Sequence, residues 1–148
     1  MSRYWEDFEV GTRYPTYART ITEGDLSLFC AFAGYHVPLF IDEEYARTTP
    51  YGGRIAPSAL TMSISTGMTE GLYRTTMLAL LAVDQGRFLK PVRPGDTIRT
   101  EVEVVSKKES ADRSRGVVVF RDHVYNQRDE EVFRIDKTTL VKRRGGAA

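Results

Sequence analysis

Side chains that can carry a proton or attack carbon near neutral pH are scarce in this 148-residue sequence, which has two histidines and one cysteine. His36, beside Tyr35 in the run Gly34-Tyr35-His36-Val37-Pro38-Leu39-Phe40-Ile41-Asp42, could serve general acid–base work, and the Tyr35 phenol could donate to a bound oxygen. The plainer readings are that His36 is a local hydrogen-bonding residue and that Tyr35 is an amphipathic pocket lining. His123 lies in Val119-Phe120-Arg121-Asp122-His123-Val124-Tyr125, on a strand face shared with Arg121 and Tyr125, and reads as structural. Asp84 and Asp122 could supply a displaced carboxylate but read as exposed or salt-bridged, while Asp42 caps the turn that follows it. Cys30 falls on the buried face of a short helix as a small core residue. Scattered in this way, the histidines and cysteine imply no metal site.

The elements that must hold these residues follow from patterning. Hydrophobic residues make up 41% and charged residues 28% of the chain, enough for a packed core. A net charge of +1 argues against a surface built for nucleic acid or an anionic membrane. A single cysteine excludes an intrachain disulfide, the N-terminus lacks the apolar run of a signal peptide, and no eighteen-residue apolar stretch occurs. The expectation is a cytoplasmic protein with one domain over 1–144 and a flexible tail over 145–148.

Helical signals fill the first half and alternating β-branched runs the second, an α+β pattern. Thr22 with Asp25 three residues on resembles a capping box and opens a helix over roughly 23–33; a second helical turn follows Asp42. Gly52, Gly53 and Pro57 make a loop that delivers the chain to a long helix over about 58–73, read as nearly fully buried, with Gly67 and Gly71 admitting another backbone. Strands are expected at 77–83, 86–89, 97–105, 116–125 and 132–141, with turns at Pro94-Gly95-Asp96 and Asn126-Gln127-Arg128-Asp129. An antiparallel sheet wrapped around one long central helix buries both.

Four stretches in this order, Phe8-Glu9-Val10-Gly11, Ile21-Thr22-Glu23-Gly24-Asp25, Gly52-Gly53-Arg54-Ile55-Ala56 and Phe88-Leu89-Lys90-Pro91-Val92-Arg93-Pro94-Gly95-Asp96, resemble landmarks of the MaoC-like dehydratases and (R)-specific enoyl-CoA hydratases. That resemblance implies the hot-dog fold. The family's chemistry belongs to a segment G-D-x-N-P-L-H-x-D, whose first Asp and His activate water for addition to an enoyl thioester. Here Tyr35 stands at the Asp position, Val37 at the Asn position and Phe40 at the His position. Phenylalanine carries no proton, and a tyrosine of ordinary pKa, roughly 10, stays protonated at neutral pH. The same alignment puts Ser58, after Pro57, where the family points a backbone amide at the thioester carbonyl, and Thr66 where it carries a small hydroxyl lining the pocket. Arg54, Lys90 and Arg93 are implied as contacts to coenzyme A phosphates, and Tyr35, Phe40, Pro57 and Ser58 as pocket residues.

The resemblance implies an acyl-thioester (acyl-CoA) binding protein of the enoyl-CoA hydratase/3-hydroxyacyl dehydratase type with an atypical site lacking the Asp/His pair. Its catalytic residues stay open, Tyr35 and His36 being the candidates. Alternatives are a non-catalytic subunit pairing with an active hydratase, a hot-dog thioesterase or an enzyme of specialised metabolism. The carrier could be coenzyme A or an acyl-carrier protein; no cofactor is implied beyond it. A homodimer or higher oligomer is expected, with a heteromer alongside a catalytic homologue as the variant case.

Overall fold

Period-two alternation in the second half of the chain builds the sheet. In the computed structural model, which describes residues 2–145, β3 (Thr97–Glu109), β4 (Arg115–Tyr125) and β5 (Glu131–Lys142) bury every second side chain along most of their length. Two further strands complete it, β1 (Arg13–Thr20) and β2 (Met77–Phe88), giving five antiparallel strands in the order β1-β3-β4-β5-β2. β1 was not among the expected strands. The expected segments 77–83 and 86–89 are one strand, interrupted between Asp84 and Arg87 by an irregularity at which Gln85 takes φ 54.

The helices precede the sheet. α1 (Glu23–Ala33) begins at the anticipated capping box: Asp25 N–H donates to Thr22 Oγ1 at 3.0 Å and Thr22 N–H to Asp25 Oδ2 at 2.8 Å. It ends at Gly34 in the left-handed region, φ 63. The short α2 (Pro38–Ile41) carries Pro38 in its first turn, and α3 (Glu43–Arg47) starts from Asp42, whose Oδ1 accepts from Tyr45 N–H at 2.9 Å. At the turn before β3, Gly95 takes φ 96 and donates its N–H to Ile21 O at 2.7 Å, tying the start of α1 to the sheet.

The central helix differs from expectation. α4 (Ser58–Met68) stops at Thr69, whose hydroxyl donates to Thr66 O at 2.8 Å, and a 3-10 turn over Glu70–Leu72 follows. It buries Leu60, Thr61, Ser65 and Met68 but exposes Ser58, Ala59, Ser63 and Gly67, so it is half-covered in the single chain. Within that chain a Cβ at Gly67 or Gly71 would meet nothing within 4 Å, so neither glycine admits a backbone of its own chain. Apolar packing divides in two: Ile21, Leu26, Leu60, Ile98, Val124 and Phe133 belong to one cluster, and Phe8, Leu72, Val102, Val104, Phe120 and Val141 to the other. In the tail, Gly145 sits in a turn at φ 73, and positions 146–148 lie outside the described residues.

Candidate active site at the head of the central helix

The chain reversal at Gly34 seats Tyr35, whose N–H donates to Cys30 O at 2.9 Å. Pro38 holds Val37 extended and starts the single turn that carries Phe40 inward onto the first apolar cluster. Tyr35 and Phe40 then pack ring against ring, centroids 5.1 Å apart and planes tilted by 39°. The two positions at which the family resemblance places proton carriers are therefore adjacent in space, and an aromatic pair fills them.

Two clefts flank the loop that leads into α4. One, of about 260 Å³, is lined by Ser27, Cys30, Ala31, His36, Phe40, Ile41 and Arg54. The other, of about 230 Å³, is walled by Tyr51, Ile55, Ala56, Phe88, Leu89, Lys90 and Val92 and floored by Ser58 and Thr61. The loop between them is pinned by Ala56 N–H donating to Val92 O at 2.7 Å. Ser58 opens α4 after Pro57, and its N–H has no acceptor among the described residues. Unpaired amides at a helix N-terminus carry partial positive charge and favour an oxygen that becomes negative. Thr61, one turn on, is only 3% exposed and lines the same cleft; reading the sequence alone did not single it out. Its signal was the spacing of three from Ser58, which sets both on one side of the helix.

The expected cations have partners inside the chain. Arg54 donates through Nε to Glu43 Oε2 at 2.8 Å and through Nη2 to Glu23 Oε2 at 2.7 Å, which joins α1, α3 and the cleft wall. The hydrogen bond from Arg54 holds Glu43 below the usual carboxylate range, and the same bond raises Arg54. Lys90 Nζ donates to Glu130 Oε1 at 2.5 Å, and Arg93 donates to Tyr51 O. Hydrogen bonds from Asn126, Lys90 and Arg128 draw Glu130 down to about 2. These three cations brace the rim of the clefts rather than point unpaired at solvent.

Pro57 is buried beneath the loop, and Thr66 lines neither cleft. His36 faces the first cleft from an exposed position. Cys30 is buried there, and burial pushes its thiol pKa up, away from reactive thiolate. His123 is remote from this region, on the outer side of β4, with Nδ1 2.7 Å from Glu131 Oε1 and Nε2 3.2 Å from Glu103 Oε2. Asp122 pairs with Lys137 inside the protein, and Asp84 is exposed. Among the described residues no group of three metal-binding side chains converges, and no helix is long and apolar enough to cross a membrane.

Residues 7–125 match the family model described as MaoC like domain. The chain is 31% identical over 147 residues to the mesaconyl-CoA hydratase of Cereibacter sphaeroides, which covers 99% of this chain and 43% of that protein. It is 34% identical over 104 residues to an (R)-specific enoyl-CoA hydratase of Rhodospirillum rubrum, across 68% of this chain and 69% of the relative. The chain thus spans less than half the length of the first of these. Among solved structures, a monoamine oxidase regulatory protein from Archaeoglobus fulgidus superposes with a TM-score of 0.88 at 33% identity, covering 96% of this chain and 95% of that one. With its antiparallel sheet curled against α4 in the hot-dog arrangement, the chain belongs to the MaoC-like domain family.

Proposed function

We propose that this chain binds an acyl-CoA or acyl-carrier thioester with its carbonyl oxygen at the Ser58 amide, and that it hydrates enoyl thioesters poorly because Tyr35 and Phe40 occupy the places of the proton carriers. The observation that carries this reading is the unpaired N–H at the head of α4, opening onto a cleft that Thr61 shares. Such an amide stabilises the enolate-like oxygen that develops when water adds to, or leaves from, the carbons next to a thioester. What the site lacks is a base for the water. Phe40 gives the cleft on the other side of the loop an apolar lining suited to an apolar group, and Tyr35 packs on the Phe40 ring without lining either cleft.

Arg54, Lys90 and Arg93 act in this reading as contacts to the carrier's phosphates, exchanging part of their hold on Glu23, Glu43, Glu130 and the Tyr51 carbonyl for it. Thr66 and Gly67 on α4, with Gly71 in the 3-10 turn after it, turn toward a second subunit. So does β2, an edge strand with Leu78, Leu80, Leu81 and Val83 each nearly half exposed. A homodimer covers these surfaces; a catalytic homologue in place of the second copy would make this chain the silent member of a pair.

The test is hydration of crotonyl-CoA by the purified protein beside the variant Tyr35→Asp/Phe40→His. A positioned acid or base contributes about 10² to 10⁴ in rate, so the variant should gain at least about 10²-fold over a slow wild type. A wild type that is already fast, or a variant no faster, would refute the assignment of those two positions. Release of free thiol in the same samples would favour the thioesterase alternative.

A further inference from the structure

The inward side of the central helix is polar. Thr61 and Ser65 on α4 and Thr69 at its C-terminal cap recur every fourth residue and are 3%, 0% and 1% exposed. The sheet answers with its own buried polar residues along a diagonal, Thr100 lying opposite Val124, Asp122 opposite Val102 and Ile135, and Lys137 opposite Phe120. On β3, Thr100 separates Ile98 of one apolar cluster from Val102 of the other. On β4, Asp122 separates Val124 from Phe120, and on β5, Lys137 and Thr139 separate Ile135 from Val141. A polar seam therefore crosses three strands between the two halves of the core.

One chain of contacts links the seam to the helix. Lys137 Nζ lies 2.5 Å from Asp122 Oδ2 and donates to Thr69 Oγ1 at 3.3 Å, and Thr69 Oγ1 is 2.7 Å from Tyr73 OH. The ammonium thus sits at the C-terminal end of α4, where the last carbonyls favour a cation. Thr100 Oγ1, Thr139 Oγ1 and both Asp122 carboxylate oxygens lack a partner in hydrogen-bond geometry, Asp122 being held by its ion pair with Lys137, so the seam is not optimised for stability. Apolar side chains pack acceptably in many arrangements, whereas a buried ion pair joined to one hydroxyl has one good geometry.

We infer that Asp122 and Lys137 are positioning residues that fix how α4 sits on the sheet at its C-terminal end, and through the rigid helix where its first amide, at Ser58, is presented. The last step rests on the thioester reading above; the seating of the helix does not. Burial raises the Asp122 pKa, so the carboxylate depends on the adjacent ammonium to stay charged.

The experiment compares the full-length wild type, Asp122→Asn, Asp122→Val/Lys137→Met and Thr69→Val by thermal melting, amide hydrogen exchange and calorimetric titration with butyryl-CoA. Asp122→Asn should melt lower, since it leaves a buried charge unpaired. The apolar double variant should recover most of the wild-type melting temperature, yet exchange the 61–69 amides at least tenfold faster and bind butyryl-CoA at least tenfold more weakly. Thr69→Val keeps the ion pair and cuts its link to the helix, so it should reproduce the faster exchange; it decides the matter if the double variant does not fold. Wild-type exchange in the double variant or in Thr69→Val overturns the inference. Should wild type not bind butyryl-CoA at all, the thioester reading fails, and the exchange data still judge the seating.

Discussion

Replacing Leu81 by aspartate should split the protein into monomers without unfolding it. β2 is the edge of the sheet, and Met77, Leu78, Leu80, Leu81, Val83, Phe88 and the adjoining Leu89 are between 38% and 53% exposed in the single chain. Full burial of such a side chain is worth about 1.5–3 kcal/mol, so covering the exposed half gains about 0.8–1.5 kcal/mol each. In a two-fold pair these seven residues count on both sides, for roughly 10–20 kcal/mol before association costs of about 4–15 kcal/mol. A remainder of about 8 kcal/mol, which lies inside the span those two ranges leave, would correspond to a micromolar dimer. Leu81 falls in a register shift between Leu80 and Ala82 and has no partner on β5, so the single chain tolerates aspartate there. In the pair the charge appears twice, and a loss of about 4 kcal/mol raises Kd roughly 10³-fold. Sedimentation velocity over a concentration series, with circular dichroism as the folding control, should show a wild-type dimer and a folded Leu81→Asp monomer. A wild type that stays monomeric, or a variant that still associates, would refute the edge-strand argument.

Two further outcomes follow from packing and charge. A methyl group at Gly116 would clash with the Trp5 indole at Nε1, so Gly116→Ala must displace a ring that donates to Val117 O and is contacted by Lys107 and Arg143. The expected cost is about 1–3 kcal/mol, or a fall in Tm of roughly 2–12 °C with altered tryptophan emission; unchanged values would mean that the N-terminal turn is not held there. Glu130, drawn down to about 2, contributes stability that is present above its unfolded value near 4.5 and is lost as pH falls toward 2. Acid melting curves of Glu130→Gln should therefore lose stability less steeply than wild type through that window, and parallel curves would contradict a role for the Lys90–Glu130–Arg128 contacts.

What the sequence disclosed depended on how local the cause was. The Thr22–Asp25 box, the Asp42 cap, the Gly95 turn and the alternation of β3, β4 and β5 are written within a few residues, and each is found where the pattern put it. β1 was invisible because an edge strand containing Pro15 and a register shift alternates only between exposed and half-buried positions, and its polar and apolar residues do not follow that alternation. The central helix was overextended because its glycines were counted as core, although Gly67 and Gly71 face outward. At the candidate site, the aromatic pair was legible from motif spacing, but the carboxylates that engage Arg54 lie on two other helices and gave no local sign. The seam was missed for the same reason: Asp122 and Lys137 belong to different strands, and each alone looks like an ordinary surface charge.

A crystal structure of the protein with a bound acyl-CoA tests the central claim most directly. The thioester carbonyl oxygen should lie about 2.7–3.1 Å from Ser58 N, in the cleft that Ser58 shares with Thr61. An acyl group bound elsewhere, or a carbonyl turned away from the head of α4, would contradict it.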